Sequence, residues 1–97
     1  MDGKNGFLYI PNDVTVIEEG AFSGNTSIRF VFIAGDVTAI HRKAFKDCLC
    51  LKKIFLPESV TQIGSEAFAN CRQLQEINVP ATCEVSKDAF DGCPLLY

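Results

Sequence analysis

The chain has 97 residues, of which 47% are hydrophobic and 22% charged, and its formal net charge is −3. A chain of this size forms one small domain, and this charge offers no basic surface to nucleic acid or to an anionic membrane. No segment approaches the ~20 consecutive apolar residues of a membrane-spanning helix, so we expect no membrane insertion.

The N-terminal segment, residues 1–6, is polar and lacks the apolar region of a signal peptide. Two explanations stay open. Either the protein does not use that secretion route, or the chain is part of a longer protein. The sequence alone therefore leaves the compartment undetermined.

From residue 7 onward the chain repeats itself with a period of 22 or 23 residues. The dipeptide Ala-Phe recurs at residues 21–22, 44–45, 67–68 and 89–90. Apolar residues recur at equivalent positions in each copy, with one residue fewer between Cys83 and Val85 in the last: Leu8 and Ile10, Val31 and Ile33, Ile54 and Leu56, Ile77 and Val79, then Ile17, Ile40, Ile63 and Val85, and last Ile28, Leu51, Leu74 and Leu96. Copies that cannot bury an apolar face alone stack into a solenoid with one shared core.

Each copy predicts the same local structure. Alternating apolar residues over Leu51–Pro57 indicate a short strand with one buried face, which ends at Pro57 because proline cannot donate to a ladder. The segment Gly64–Asn70 is too short for a long helix and predicts a single α- or 3-10 helical turn on the opposite side. The predicted fold class is α/β, a leucine-rich-repeat solenoid of about four 22–23-residue repeats, with short parallel strands on one face and turns or short helical turns on the other.

We expect one domain over residues 1–97, with repeats at approximately 8–30, 31–53, 54–76 and 77–97. The unit Leu51-x-x-Ile54-x-Leu56-Pro57-x-x-Val60-Thr61-x-Ile63-Gly64-x-x-Ala67-Phe68-x-x-Cys71 resembles the repeat of BspA-like proteins, the treponemal class of leucine-rich repeat. This resemblance extends from about Leu8 to Leu96. The family carries many repeats and solenoids need polar caps, so we expect a fragment, an end of a longer array, or a chain that stacks on another copy.

BspA-like proteins are known as surface antigens and adhesins. The resemblance implies binding to a host or cell-surface protein and a location at the cell surface or outside the cell. A fold by itself does not fix a function.

The aromatic residues suggest a binding surface. If Leu8, Ile10 and their equivalents point inward, alternation sends their neighbours to the outer face of the sheet. These predicted partner-binding residues are Phe7, Tyr9, Phe30, Phe32, Lys53, Phe55, Glu76 and Asn78. Exposed aromatic patches mark interaction sites, so we predict a protein-binding or adhesion module, with Lys53, Glu76 and Asn78 as its polar rim.

Three alternatives remain for this face. Cross-strand stacking of the aromatic residues could serve the stability of the sheet alone, or the face could pack against a further domain. The chain could also be an architectural, self-associating segment without a ligand of its own. Because the repeat places no nucleophile, base and orienting group together, we expect no enzyme and no cofactor.

The remaining reactive residues fit structural roles. Cys48, Cys71 and Cys93 form a column, which predicts small buried thiols rather than a disulfide or a convergent metal site. Asn25 occupies the same column in the first copy and also begins the glycosylation sequon 25–27, and we favour a structural role for its amide. His41 is expected to be a solvated surface histidine.

Overall fold

The fold is a solenoid of short, stacked, parallel strands. The computed structural model describes residues 6–96, so the polar segment 1–5 and Tyr97, the expected end of the last repeat, lie outside the described residues. Two four-stranded sheets run along it, in the orders β1-β3-β5-β7 and β2-β4-β6-β8. The strands are β1 (Phe7–Ile10), β2 (Val16–Ile17), β3 (Phe30–Ile33), β4 (Ala39–Ile40), β5 (Lys53–Phe55), β6 (Gln62–Ile63), β7 (Glu76–Ile77) and β8 (Glu84–Val85).

The first sheet pairs equivalent positions of successive copies. Leu8 lies opposite Val31, Val31 opposite Ile54, and Ile54 opposite Ile77. In β1 and β3 buried and exposed residues alternate, as the pleat of a half-buried strand requires. The sequence columns are therefore ladders through one core.

The second sheet was not predicted, because strands of two residues are too short to show an alternating pattern. It is reinforced by a threonine ladder beside it. Thr38 donates its backbone N–H to the Thr15 carbonyl at 2.8 Å, and Thr61 donates to the Thr38 carbonyl at 2.8 Å. The Thr61 hydroxyl donates to the same Thr38 carbonyl at 3.2 Å.

The third side of each coil is a run of turns rather than a helix. Alternate N–H groups close turns within the coil, as when Ala69 donates to the Glu66 carbonyl at 3.1 Å. The intervening N–H groups donate to the next coil, as when Phe68 donates to the Ala89 carbonyl at 2.8 Å. At the ends of the short strands the later coil donates to the earlier one, as when His41 donates to the Ile17 carbonyl at 2.9 Å.

Left-handed residues explain why no helix forms there. Glu66 and Asn70 have φ values of 56° and 62°, and the equivalent Gly20 and Gly24 of the first copy have 66° and 77°. A right-handed helix cannot continue through such a residue. In the described part of the chain the sole helical element is the 3-10 turn Pro94–Leu96, so the α/β class is not confirmed and the fold is a β-solenoid related to leucine-rich repeats.

The number of repeats also differs from the expectation. From β1 to β7 the chain completes three turns, and within the described residues no further strand stacks on β7. Four complete repeats are therefore not confirmed. The last copy also loses part of the predicted core, since Val79 and Val85 are each 37% exposed because no following coil covers them.

A phenylalanine ladder forms the centre of the core. The rings of Phe22, Phe45, Phe68 and Phe90 stack with centroid separations of 5.3, 5.3 and 5.4 Å. Phe45 and Phe68 are fully buried, whereas Phe22 and Phe90 at the two ends are half-buried. The stability of the ladder is thus concentrated in its two middle members.

This difference between the middle and the end of the ladder gives a first prediction. Replacing Phe45 by alanine should lower the free energy of unfolding by about 3–5 kcal/mol, because a large buried side chain is lost and a cavity remains. The change Phe22→Ala, at the end, should cost roughly half as much. Urea unfolding followed by circular dichroism measures both. Equal losses would contradict the ladder.

Candidate functional site

Three stacked aromatic rings form a ridge on the outer surface of the first sheet. The centroids of Tyr9 and Phe32 lie 5.9 Å apart with planes within 4°, and those of Phe32 and Phe55 lie 5.0 Å apart within 8°. The three side chains, hereafter the aromatic ridge, are 48%, 38% and 48% exposed. Because the ring faces meet inside the stack, the ridge presents mainly ring edges, which carry the positive end of the aromatic quadrupole.

A second outward column runs beside the ridge. Phe7 pairs with Phe30, Phe30 with Lys53, and Lys53 with Glu76. Phe7 and Phe30 are exposed, and Lys53 and Glu76 form an ion pair of 3.2 Å between Nζ and Oε1. An exposed pair of this kind contributes little stability, so both charges stay accessible to a partner. The ridge together with this second column is hereafter the aromatic face.

Asn78 lies at the end of the ridge, but its amide is already engaged. Its Nδ2 donates to the Leu56 carbonyl at 2.8 Å, and its Oδ1 accepts from the Leu56 N–H at 2.9 Å. The side chain thus replaces a strand residue beside β5, where the ladder of the last copy ends early. Among the three residues expected to form the polar rim, Lys53 and Glu76 are the two whose side chains remain available.

A groove of about 760 Å³ lies on the aromatic face toward the last copies. Phe30, Phe32 and Phe55 line it together with the Lys53–Glu76 pair. Gln75 and Leu96 also line the groove and were missed by sequence reasoning. The alternation gave no signal for Gln75, because a residue next to the outward Glu76 is expected to point inward. Leu96 was assigned to the core, and the structure leaves it half-buried because no coil covers that end.

The cysteine column lies in the core as small buried thiols. All five cysteines are free, and Cys48, Cys71 and Cys93 are fully buried. Each thiol of the column donates to the carbonyl of a phenylalanine in the preceding copy. The three S···O distances are 3.2 Å to Phe22, 3.2 Å to Phe45 and 3.0 Å to Phe68. This bond between copies is a role that sequence reasoning missed.

Burial raises the pKa of Cys48 from 9.0 to about 11. The hydrogen bond between Cys71 and Cys93, more than burial, raises the pKa of Cys71. The same hydrogen bond lowers the pKa of Cys93 to about 7. Since the folded pKa of Cys48 exceeds the unfolded value, its contribution to stability is complete below pH 9 and is lost as the pH rises toward 11.

Asn25 and His41 take the structural roles expected of them. The half-buried Asn25 accepts hydrogen bonds through Oδ1 from the N–H groups of Ser27 and Ile28, at 2.9 and 3.2 Å. His41 is exposed, with Nδ1 3.9 Å from Oε1 of Glu18. Over residues 6–96, no group of three or more His, Cys, Asp or Glu side chains is placed to hold a metal ion. No helix in that range is long and apolar enough to cross a membrane.

The thiols offer a direct test of the column. At pH 8 a disulfide reagent should react quickly with the half-buried Cys50 and Cys83 of the native protein. The three column thiols should react only after unfolding in urea, because all three are fully buried and the reagent cannot reach them in the native protein. A Cys50→Ser, Cys83→Ser variant serves as the control and should lose the fast phase. A column thiol that reacts as fast as Cys50 would refute this assignment.

Three solved structures share the fold. The crystal structure of the pneumococcal vaccine antigen PcpA gives a TM-score of 0.72 at 22% identity, covering 84% of this chain and 20% of that one. The T. pallidum leucine-rich-repeat protein TpLRR gives 0.63 at 22%, covering 97% and 57%. A leucine-rich-repeat protein from Bacteroides ovatus gives 0.51 at 21%, covering 93% and 35%. The chain thus spans from a fifth to little more than half of these proteins.

The family follows from the sequence itself. No curated protein matches the chain significantly. A family model described as BspA type leucine rich repeat region (6 copies) matches residues 5–97. Because this match includes almost every residue, it confirms the resemblance, and the chain belongs to the BspA-type leucine-rich-repeat family.

Proposed function

We propose that the chain is a non-catalytic module that binds a protein partner through its aromatic face. The observation that carries this proposal is the aromatic ridge, which is stacked into a fixed shape and yet remains exposed to solvent. Exposed apolar patches on small proteins mark interaction sites, and aromatic side chains are frequent binding hot spots.

The rigidity of the ridge favours binding over a purely structural role. Ordering a mobile side chain at an interface costs about 0.5–1.5 kcal/mol. Stacking has already fixed Phe32 between Tyr9 and Phe55, so a partner that docks on these rings has little of that entropy left to remove. The groove beside Phe55 adds a concave surface with one charge of each sign, Lys53 and Glu76, which can orient a ligand.

The partner in this proposal is a protein of a host or of a cell surface, and the module acts as an adhesion or surface-antigen repeat. This rests on the family and on the solved structure of PcpA, which is described as a vaccine antigen. On this proposal the protein is secreted or displayed at the cell surface.

The decisive experiment compares captured proteins. The wild-type chain and a Phe32→Glu, Phe55→Glu variant are immobilised and exposed to host-cell surface extract, and captured proteins are identified by mass spectrometry. Both side chains lie outside the core, so the variant should fold as the wild type does. We expect a partner on the wild type that is lost from the variant, because two charges now occupy the centre of the apolar contact.

A matched control separates the site from the added charge. Gln62→Glu with Thr82→Glu adds the same charge at exposed positions outside the aromatic face. This control should capture the same partner as the wild type. If all three proteins capture the same set, the proposed binding face is wrong.

A further inference from the structure

Two borders of opposite charge flank the aromatic face. The residues that lead into its strands include Arg29, Lys52 and Arg72, and the segments 25–29, 48–52 and 71–75 contain no acidic residue. The turns that leave its strands include Asp13, Asp36 and Glu58, and the segments 11–15, 34–38, 57–61 and 80–83 contain no basic residue. We name these the basic edge and the acidic edge.

Two rows of the solenoid carry one charge of each sign, where a row is one strand of the first sheet with the residues just before and after it. Arg29 precedes β3 and Asp36 follows it, while Lys52 precedes β5 and Glu58 follows it. Backbone bonds hold the rows together, as when Lys52 donates its N–H to the Arg29 carbonyl at 2.7 Å. Within the described residues none of these four side chains has a hydrogen bond or ion pair of its own, so all four charges are available to a partner.

We propose that, when no other protein occupies it, the aromatic face binds a second copy of this chain, docked face to face about a two-fold axis parallel to the solenoid axis. Such an axis reverses the strand direction and keeps the order of the coils. Each row therefore meets the same row of the second copy, with basic edge over acidic edge. Arg29 faces Asp36 of the second copy, Lys52 faces Glu58, and symmetry doubles both pairs. This inference rests on the proposed use of the aromatic face.

A second copy covers ridge and edges together, and its own ridge lies opposite, which removes both apolar surfaces from water.

Charge reversal with rescue by mixing tests the arrangement. One variant, Arg29→Glu with Lys52→Glu, makes both edges acidic, and another, Asp36→Lys with Glu58→Lys, makes both edges basic. Sedimentation equilibrium of the wild-type chain should show a monomer–dimer equilibrium that weakens in ~1 M salt, where charges are screened. Each variant alone should dimerise at least about tenfold more weakly, because four attractive contacts become repulsive.

An equimolar mixture of the two variants should dimerise again, since an acidic pair of edges then meets a basic pair. Arg42→Glu with Lys87→Glu is the matched control, because it changes the net charge equally on the turn side and should dimerise as the wild type does. The proposal would be overturned by any of three results. The wild type stays monomeric up to ~1 mM, the reversal of either edge leaves the dimer as strong as before, or the mixture of the two variants stays monomeric. If the wild type is monomeric but Phe32→Glu, Phe55→Glu still abolishes capture of another protein, the dimer is wrong and the binding face stands.

Discussion

The backbone pairing between equivalent positions of successive copies is the constraint on which everything else depends. The pairing occurs on all three sides of the coil: in the two parallel sheets, and through the N–H groups of the turns that donate to the next copy. Equivalent backbone N–H and C=O groups of successive copies must lie opposite each other to form these bonds. Side chains of one column are therefore brought into contact whatever their chemistry. The stacked phenylalanines of the core and the stacked rings of the surface are two results of that one register.

The chain uses the same residue type for opposite purposes on the two surfaces of its coil. Phe45 lies in the core ladder and Phe32 in the surface ridge, and both stack at about the same ring spacing. The first stack stabilises the fold through burial. The second leaves apolar surface in water, which gives the fold less stability and supplies the surface that we propose for binding.

Much of this architecture could be predicted from the sequence, because a period of 22–23 residues fixes both the ladders and the inward or outward direction of each strand residue. The turn side could not, since Lys43 and Glu66 adopt left-handed backbone conformations that their residue types do not favour. The amide pairing of Asn78 with Leu56 and the thiol bonds to phenylalanine carbonyls also depend on contacts between copies that no single repeat reveals. The eight predicted binding residues do share one surface, but their role in binding remains a prediction.

The opposed directions of the hydrogen bonds between copies bear on how many copies such a solenoid can contain. On the turn side the earlier copy donates to the later one, and at the ends of the short strands, as at His41, the later copy donates to the earlier. The peptide dipoles of these two sets of bonds oppose each other, whereas in an α-helix they add into a macrodipole with charged ends. A stack built in this way can be lengthened copy by copy without accumulating an electrostatic penalty at its ends.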